Sequence, residues 1–170
     1  MRHLPTSATD RCPHCGRAIA SPAAHAPRYQ AETFAALLQA DPARAARLFV
    51  AMPPDARVRQ ARAHVAWCRT HGVATDIAAV LASWHATLAP LGGERPSPDP
   101  PAPLDPEALS DLLSGAPTEA AGLLRRMTPS ERIAQGLSYA AWLASYGLAL
   151  DLAVILEVWE AMLSAPRGRR

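Results

Sequence analysis

Cysteine and histidine are the residues of this chain best suited to chemistry, and two short segments hold them at metal-ligand spacing. Cys12-Pro13-His14-Cys15 is a C-x2-C pair followed by Gly16, and Cys68-Arg69-Thr70-His71 is a C-x2-H pair followed by Gly72. Structural zinc takes four sulfur or nitrogen ligands, commonly as two such pairs, because residues three apart can reach one ion from a tight turn or a helix face. The spacing therefore predicts a structural zinc ion held by Cys12, Cys15, Cys68 and His71. An arm-only site is the variant, with His25, His14 or His3 replacing His71. The competing expectation is that Cys68 is a small buried hydrophobe and His71 a solvated residue at a helix end.

Cys-Pro-His-Cys is also similar to the redox centre of thioredoxin-fold thiol oxidases. That chemistry needs the first cysteine at a helix N-terminus, where the thiolate is stabilised, and no strand pattern precedes Cys12 to supply that setting. Thiol-disulfide exchange is a remote alternative. The sequence has no P-loop, GxGxxG, HExxH or GxSxG pattern. No acidic residue lies close enough to either pair to serve a catalytic zinc as general base. The expectation is a non-enzyme, with no small-molecule substrate indicated.

A second set of side chains is basic. Arg59, Arg62 and Arg69 fall within a narrow sector of one expected helix, with Arg47 on the helix before it. Such a face suits phosphate, which adds affinity without reading sequence, or an acidic protein partner. The alternative is a solvated face paired with nearby acids.

These residues must be positioned by helices, and the helices come in two sets. Residues 32–88 align without a gap on residues 107–163, with 21 identities in 57 positions, where an alanine-rich composition gives about 10% by chance. Trp67, Gly72, Asp76, Leu81 and Trp84 recur as Trp142, Gly147, Asp151, Leu156 and Trp159. Cys68 and His71 are replaced by Leu143 and Tyr146, and Arg47, Arg59, Arg62 and Arg69 by Gly122, Ala134, Leu137 and Ala144. The candidate chemistry is thus confined to the first copy.

Each copy reads as four helices forming two hairpins. In the first they run near Glu32 to Ala40, Pro42 to Met52 and Pro54 to His71, with the fourth starting at Ala74 to Asp76. Prolines at first turns, a Thr128-Pro129-Ser130-Glu131 capping box, and Gly72 and Gly147 as left-handed C-caps punctuate them. Ile77, Val80, Leu81, Trp84 and Leu88 form one apolar stripe, as do Leu152, Ile155, Leu156, Trp159 and Leu163. Recurrence at helical spacing assigns all four tryptophans to the core. Helical hairpins of this texture are similar to tetratricopeptide and pentatricopeptide solenoids, although the period of 75 and the signature positions differ.

The expected organisation is an irregular arm with a zinc knuckle (1–30), repeat one (31–90), a proline-rich linker (91–104), repeat two (105–164) and a basic tail (165–170). Residues 91–103, in extended form, span about 40 Å, so the copies can pair face to face or stack. The net charge of +2 hides a skew: residues 1–93 carry ten arginines against five acids, and the remainder seven against ten. With no apolar run to form a signal-peptide core, a cytoplasmic location is expected. The apolar window 137–156 has a polar counterpart in copy one, so it reads as buried or as an association surface. Taken together, the sequence predicts an all-α, duplicated, non-catalytic accessory subunit. Repeat one would meet nucleic acid or an acidic partner, and repeat two a protein. A protein-only adaptor or regulator, as a homodimer or not, is the alternative.

Overall fold

A computed structural model describes residues 28–98 and 101–164. Cys12, Cys15, His25 and the other arm histidines lie outside these residues, as does the basic tail. The described residues form eight α-helices and no strands: α1 Ala31–Ala40, α2 Pro42–Val50, α3 Pro54–Thr70, α4 Ile77–Leu91, α5 Pro106–Gly115, α6 Pro117–Arg126, α7 Pro129–Ser145 and α8 Leu152–Ser164. None is long and apolar enough to cross a membrane.

Local chemistry sets the helix ends. Proline stands at the first turn of α2, α3, α5, α6 and α7, where its missing N–H would have had no helical partner. Asp41 and Asp76 cap α2 and α4 by accepting from the N–H groups of Arg44 at 2.9 Å and Ala79 at 2.8 Å. At the head of α7 the Thr128 hydroxyl accepts from Glu131 N–H (3.2 Å), and the Glu131 carboxylate accepts from Thr128 N–H (2.6 Å). α3 and α7 end at Gly72 and Gly147, with φ of +74° and +77°. In each case the next N–H, of Val73 or Leu148, bonds back at 3.0 Å to the carbonyl of Cys68 or Leu143.

α5 and α7 start and end 75 residues after α1 and α3, and α6 and α8 start 75 residues after α2 and α4. The correspondence extends to side chains. Buried Gln60 accepts from the Tyr29 N–H at 2.9 Å, and buried Gln135 from the Leu104 N–H at 3.0 Å, tying down the segment that leads into each set of four. Arg57 donates to the Met52 carbonyl at 3.1 Å, and Arg132 to that of Met127 at 2.8 Å.

Within the first half α4 packs on α2 and α3, and within the second α8 packs on α6 and α7. The halves meet through α3 against α8 and α7, with α4 touching α7. α3 is therefore the central helix. Phe34, Phe49, Val58, Leu81, Trp84, Leu109, Leu124, Ile133, Leu156 and Trp159 belong to one continuous core, each large side chain contributing about 2 kcal/mol of apolar burial. Trp84 and Trp159 are buried as their spacing predicts, whereas Trp67 and Trp142 are only half-buried. Each of the latter lies near the end of its helix and packs against neighbouring rings, His64 and His71 in the first half, Tyr139 and Tyr146 in the second.

Candidate metal centre and basic face

Cys68 sits in the last full turn of α3 and is buried, 7% exposed, as a free thiol. Its burial follows from its register on α3, in line with Val65 and Ala61. It lines a pocket of about 280 Å³ together with His64, Val73, Thr75, Val80, Ser83 and Trp84. His64 lies one turn before Cys68, half-buried between the rings of Trp67 (5.6 Å between centroids) and Trp84 (5.2 Å). Its Nδ1 is buried without a hydrogen-bond partner, and burial pulls its pKa below the usual histidine range.

His71 lies elsewhere. It is the C-cap of α3, exposed, with its ring 4.4 Å from that of Trp67 and Nδ1 2.9 Å from the Trp67 carbonyl oxygen. Tyr146 takes the equivalent place on Trp142, at 5.1 Å. His71 is absent from the lining of the Cys68 pocket. Among the described residues, no three His, Cys, Asp or Glu side chains cluster closely enough to hold a metal. A four-ligand site on α3 would therefore need ligands from the arm.

The four arginines divide into two pairs. Arg62 on α3 makes two parallel hydrogen bonds, each 2.6 Å, to the carboxylate of Asp151 at the head of α8. That contact holds the Arg62 pKa above its ordinary value. Arg59, 12% exposed, is paired with Asp55 one turn back on its own helix and lies 3.9 Å from Glu157 on α8. Both face the seam between the halves. Arg47 and Arg69 are exposed, and neither has an ion-pair partner among the described residues.

Sequence reasoning missed the most buried charge. Arg57 is 0% exposed and 2.7 Å from Glu94, which lies beyond α4 in the linker. Arg57 also donates to the carbonyls of Met52 and Val50, each at 3.1 Å, and its guanidinium lies 4.6 Å above the Phe49 ring. Glu94 accepts from Ser130 at the head of α7, through its hydroxyl at 2.6 Å and its N–H at 3.1 Å. One carboxylate thus links α3, the linker and α7. Desolvation opposes its charge, but the Ser130 bonds and Arg57 prevail and hold its pKa below the usual range. In the second half Arg132 pairs with Glu160 on α8 at 2.9 Å. The residue matching Glu160 in the first half is His85, whose pKa burial, aided by Arg57, pushes down to about 4. A neutral histidine cannot neutralise Arg57, and Glu94 supplies the missing carboxylate. The recurrence of Arg57 as Arg132, with His85 standing against Glu160, was the available signal.

Comparison of the chain with protein-family models, with curated proteins and with solved structures finds no match.

Proposed function

We propose that this protein is a non-catalytic helical adaptor that binds another protein through the α7–α8 end of its second half. The observation that carries the reading is a run of exposed apolar side chains: Tyr146, Leu148, Leu150, Val154 and Val158, between 41% and 66% exposed, within 13 residues of chain. Val154 and Val158 lie one turn apart on α8 and share a face. Such concentrations of exposed aliphatic surface mark interaction sites more often than chance placement does.

The same reading takes the chain as a tandem duplication of a four-helix unit. It is supported by the 75-residue spacing of helix starts, caps and buried polar contacts. The halves have diverged in role. The second presents the apolar face, and the first is braced by a structural zinc ion held by Cys12, Cys15, Cys68 and one histidine. Zinc there would fix the arm to α3 and perform no step of chemistry.

Direct nucleic-acid contact is the weaker reading, because Arg59 and Arg62 are engaged at the seam and only Arg47 and Arg69 remain of the four. The test compares tagged wild type with Leu148→Asp/Val158→Asp in recovery of the native complex, alongside mobility shifts on DNA and RNA at low salt. The adaptor reading expects a defined protein partner lost from the variant and no retarded nucleic acid. Salt-sensitive retardation that weakens on Arg47→Ala and Arg69→Ala would replace it with the nucleic-acid reading.

A further inference from the structure

We infer that the partner seated on the α7–α8 face is a second copy of this chain, joined to the first about a twofold axis. The inference rests on the adaptor reading above, which places a protein contact on that face, and names the partner. Tyr146, Leu148 and Leu150 belong to the turn between α7 and α8. Val154 and Val158 stand exposed on the first two turns of α8.

Area and charge both favour a second copy. At 41–66% exposure these five residues present about 500 Å² of mainly apolar surface, at the upper end of what a monomer leaves uncovered. A stable interface takes about 800 Å² from each partner, and about 65% of that is apolar in homodimers, or about 520 Å² per copy. The face supplies what such a dimer needs. From Tyr146 to Val158 the chain carries two charged side chains, Asp151 and Glu157. Each faces an arginine of α3 in its own chain: Arg62 lies 2.6 Å from Asp151, and Arg59 lies 3.9 Å from Glu157. A surface that meets its own copy sets like groups near like, which is costly when they carry unpaired charge. Here the charges are matched within each chain, so the twofold contact sets apolar groups against apolar groups.

The first half sets the symmetry. Its residues at the equivalent positions are His71, Val73, Thr75, Ala79 and Ser83, of which Val73 alone is both large and apolar. Each chain therefore carries one such face. A single self-complementary face closes a dimer, whereas contacts between unlike faces propagate into rings or open arrays. The first half also supplies test substitutions. Leu150→Thr, Val154→Ala and Val158→Ser install the residues that the same positions of the first repeat already hold.

The purified 170-residue chain is followed by sedimentation velocity from about 1 to 100 µM, and circular dichroism with thermal melting checks the fold of each variant. Wild type should form a species of twice the 18.1 kDa chain mass. Its dissociation constant should rise about tenfold or more in the triple variant and in Leu148→Asp. Val73→Asp, at the first-half counterpart of Leu148, should dimerise as wild type does. A wild type that stays monomeric over this range would overturn the second copy. Should tagged wild type then still recover a different protein that Leu148→Asp/Val158→Asp loses, the adaptor reading stands with another partner. A mass that climbs past the dimer with concentration would overturn the twofold arrangement. Dimerisation undiminished in both the triple variant and Leu148→Asp would place the contact on another face and overturn the inference.

Discussion

Arg57 and Glu94 form an ion pair, 2.7 Å apart, in which the arginine has no exposed surface and the carboxylate is mostly covered. The carboxylate also receives two hydrogen bonds from Ser130 at the start of the second half. A buried charge is tolerated only while its partner is present, so removing one member strands the other. Glu94→Ala is expected to cost about 3–5 kcal/mol of unfolding free energy. In a urea-unfolding double-mutant cycle with Arg57→Met, the double variant should be less destabilised than the sum of the singles. Strict additivity would show that the pair does not act as a unit.

The neighbouring His85 makes stability depend on pH. Its folded pKa, about 4, lies below the unfolded value of about 6.5, so the unfolded chain binds the extra proton between those values and stability rises with pH across that window. The stabilisation is complete above about pH 6.5 and is lost as pH falls toward 4. Allowing for partial solvent access, the loss is about 1–2 kcal/mol. Glu94, with its lowered pKa, acts in the same direction at the acid end, its contribution present above its unfolded pKa and lost as pH falls through the folded one. The urea midpoint measured from pH 7.5 to 4 should decline, and His85→Gln should flatten the decline above pH 5.

Gly92 closes α4 against α2. A Cβ at this position would lie 2.6 Å from the Ala46 carbonyl oxygen and 2.7 Å from Val50 Cγ1, and the first of these is backbone that cannot swing away. Gly92→Ala should destabilise by about 1–3 kcal/mol. Gly122→Ala, at an exposed position of α6 with nothing within 4 Å of the added carbon, should be neutral or stabilising by up to about 1 kcal/mol. Thermal melts of the two variants separate these outcomes, and equal effects would refute the close approach of α4 to α2.

The extent to which the chain could be read in advance follows the range of the interactions. Helix ends are written locally, and Asp76, the Thr128–Glu131 box, Gly72 and Gly147 act where their types imply. The apolar stripes likewise identified Leu81, Trp84, Leu156 and Trp159 as core. Contacts between the halves have no local period. Nothing near Arg62 indicates that Asp151, 89 residues away, will take up its guanidinium. Nor does anything near Arg57 show that its acid lies past the end of α4. Placing Cys68 and His71 at i and i+3 also assumed that the helix continues to His71. It ends at Thr70, and the His71 ring folds back onto Trp67.

The metal content of the purified 170-residue chain tests the shared zinc site most directly. Elemental analysis by mass spectrometry, after exhaustive dialysis, should find about one zinc per chain in wild type and a large loss in both Cys12→Ser and Cys68→Leu. Zinc-free wild type, or full zinc occupancy in Cys68→Leu, would contradict the claim that an ion joins the arm to α3.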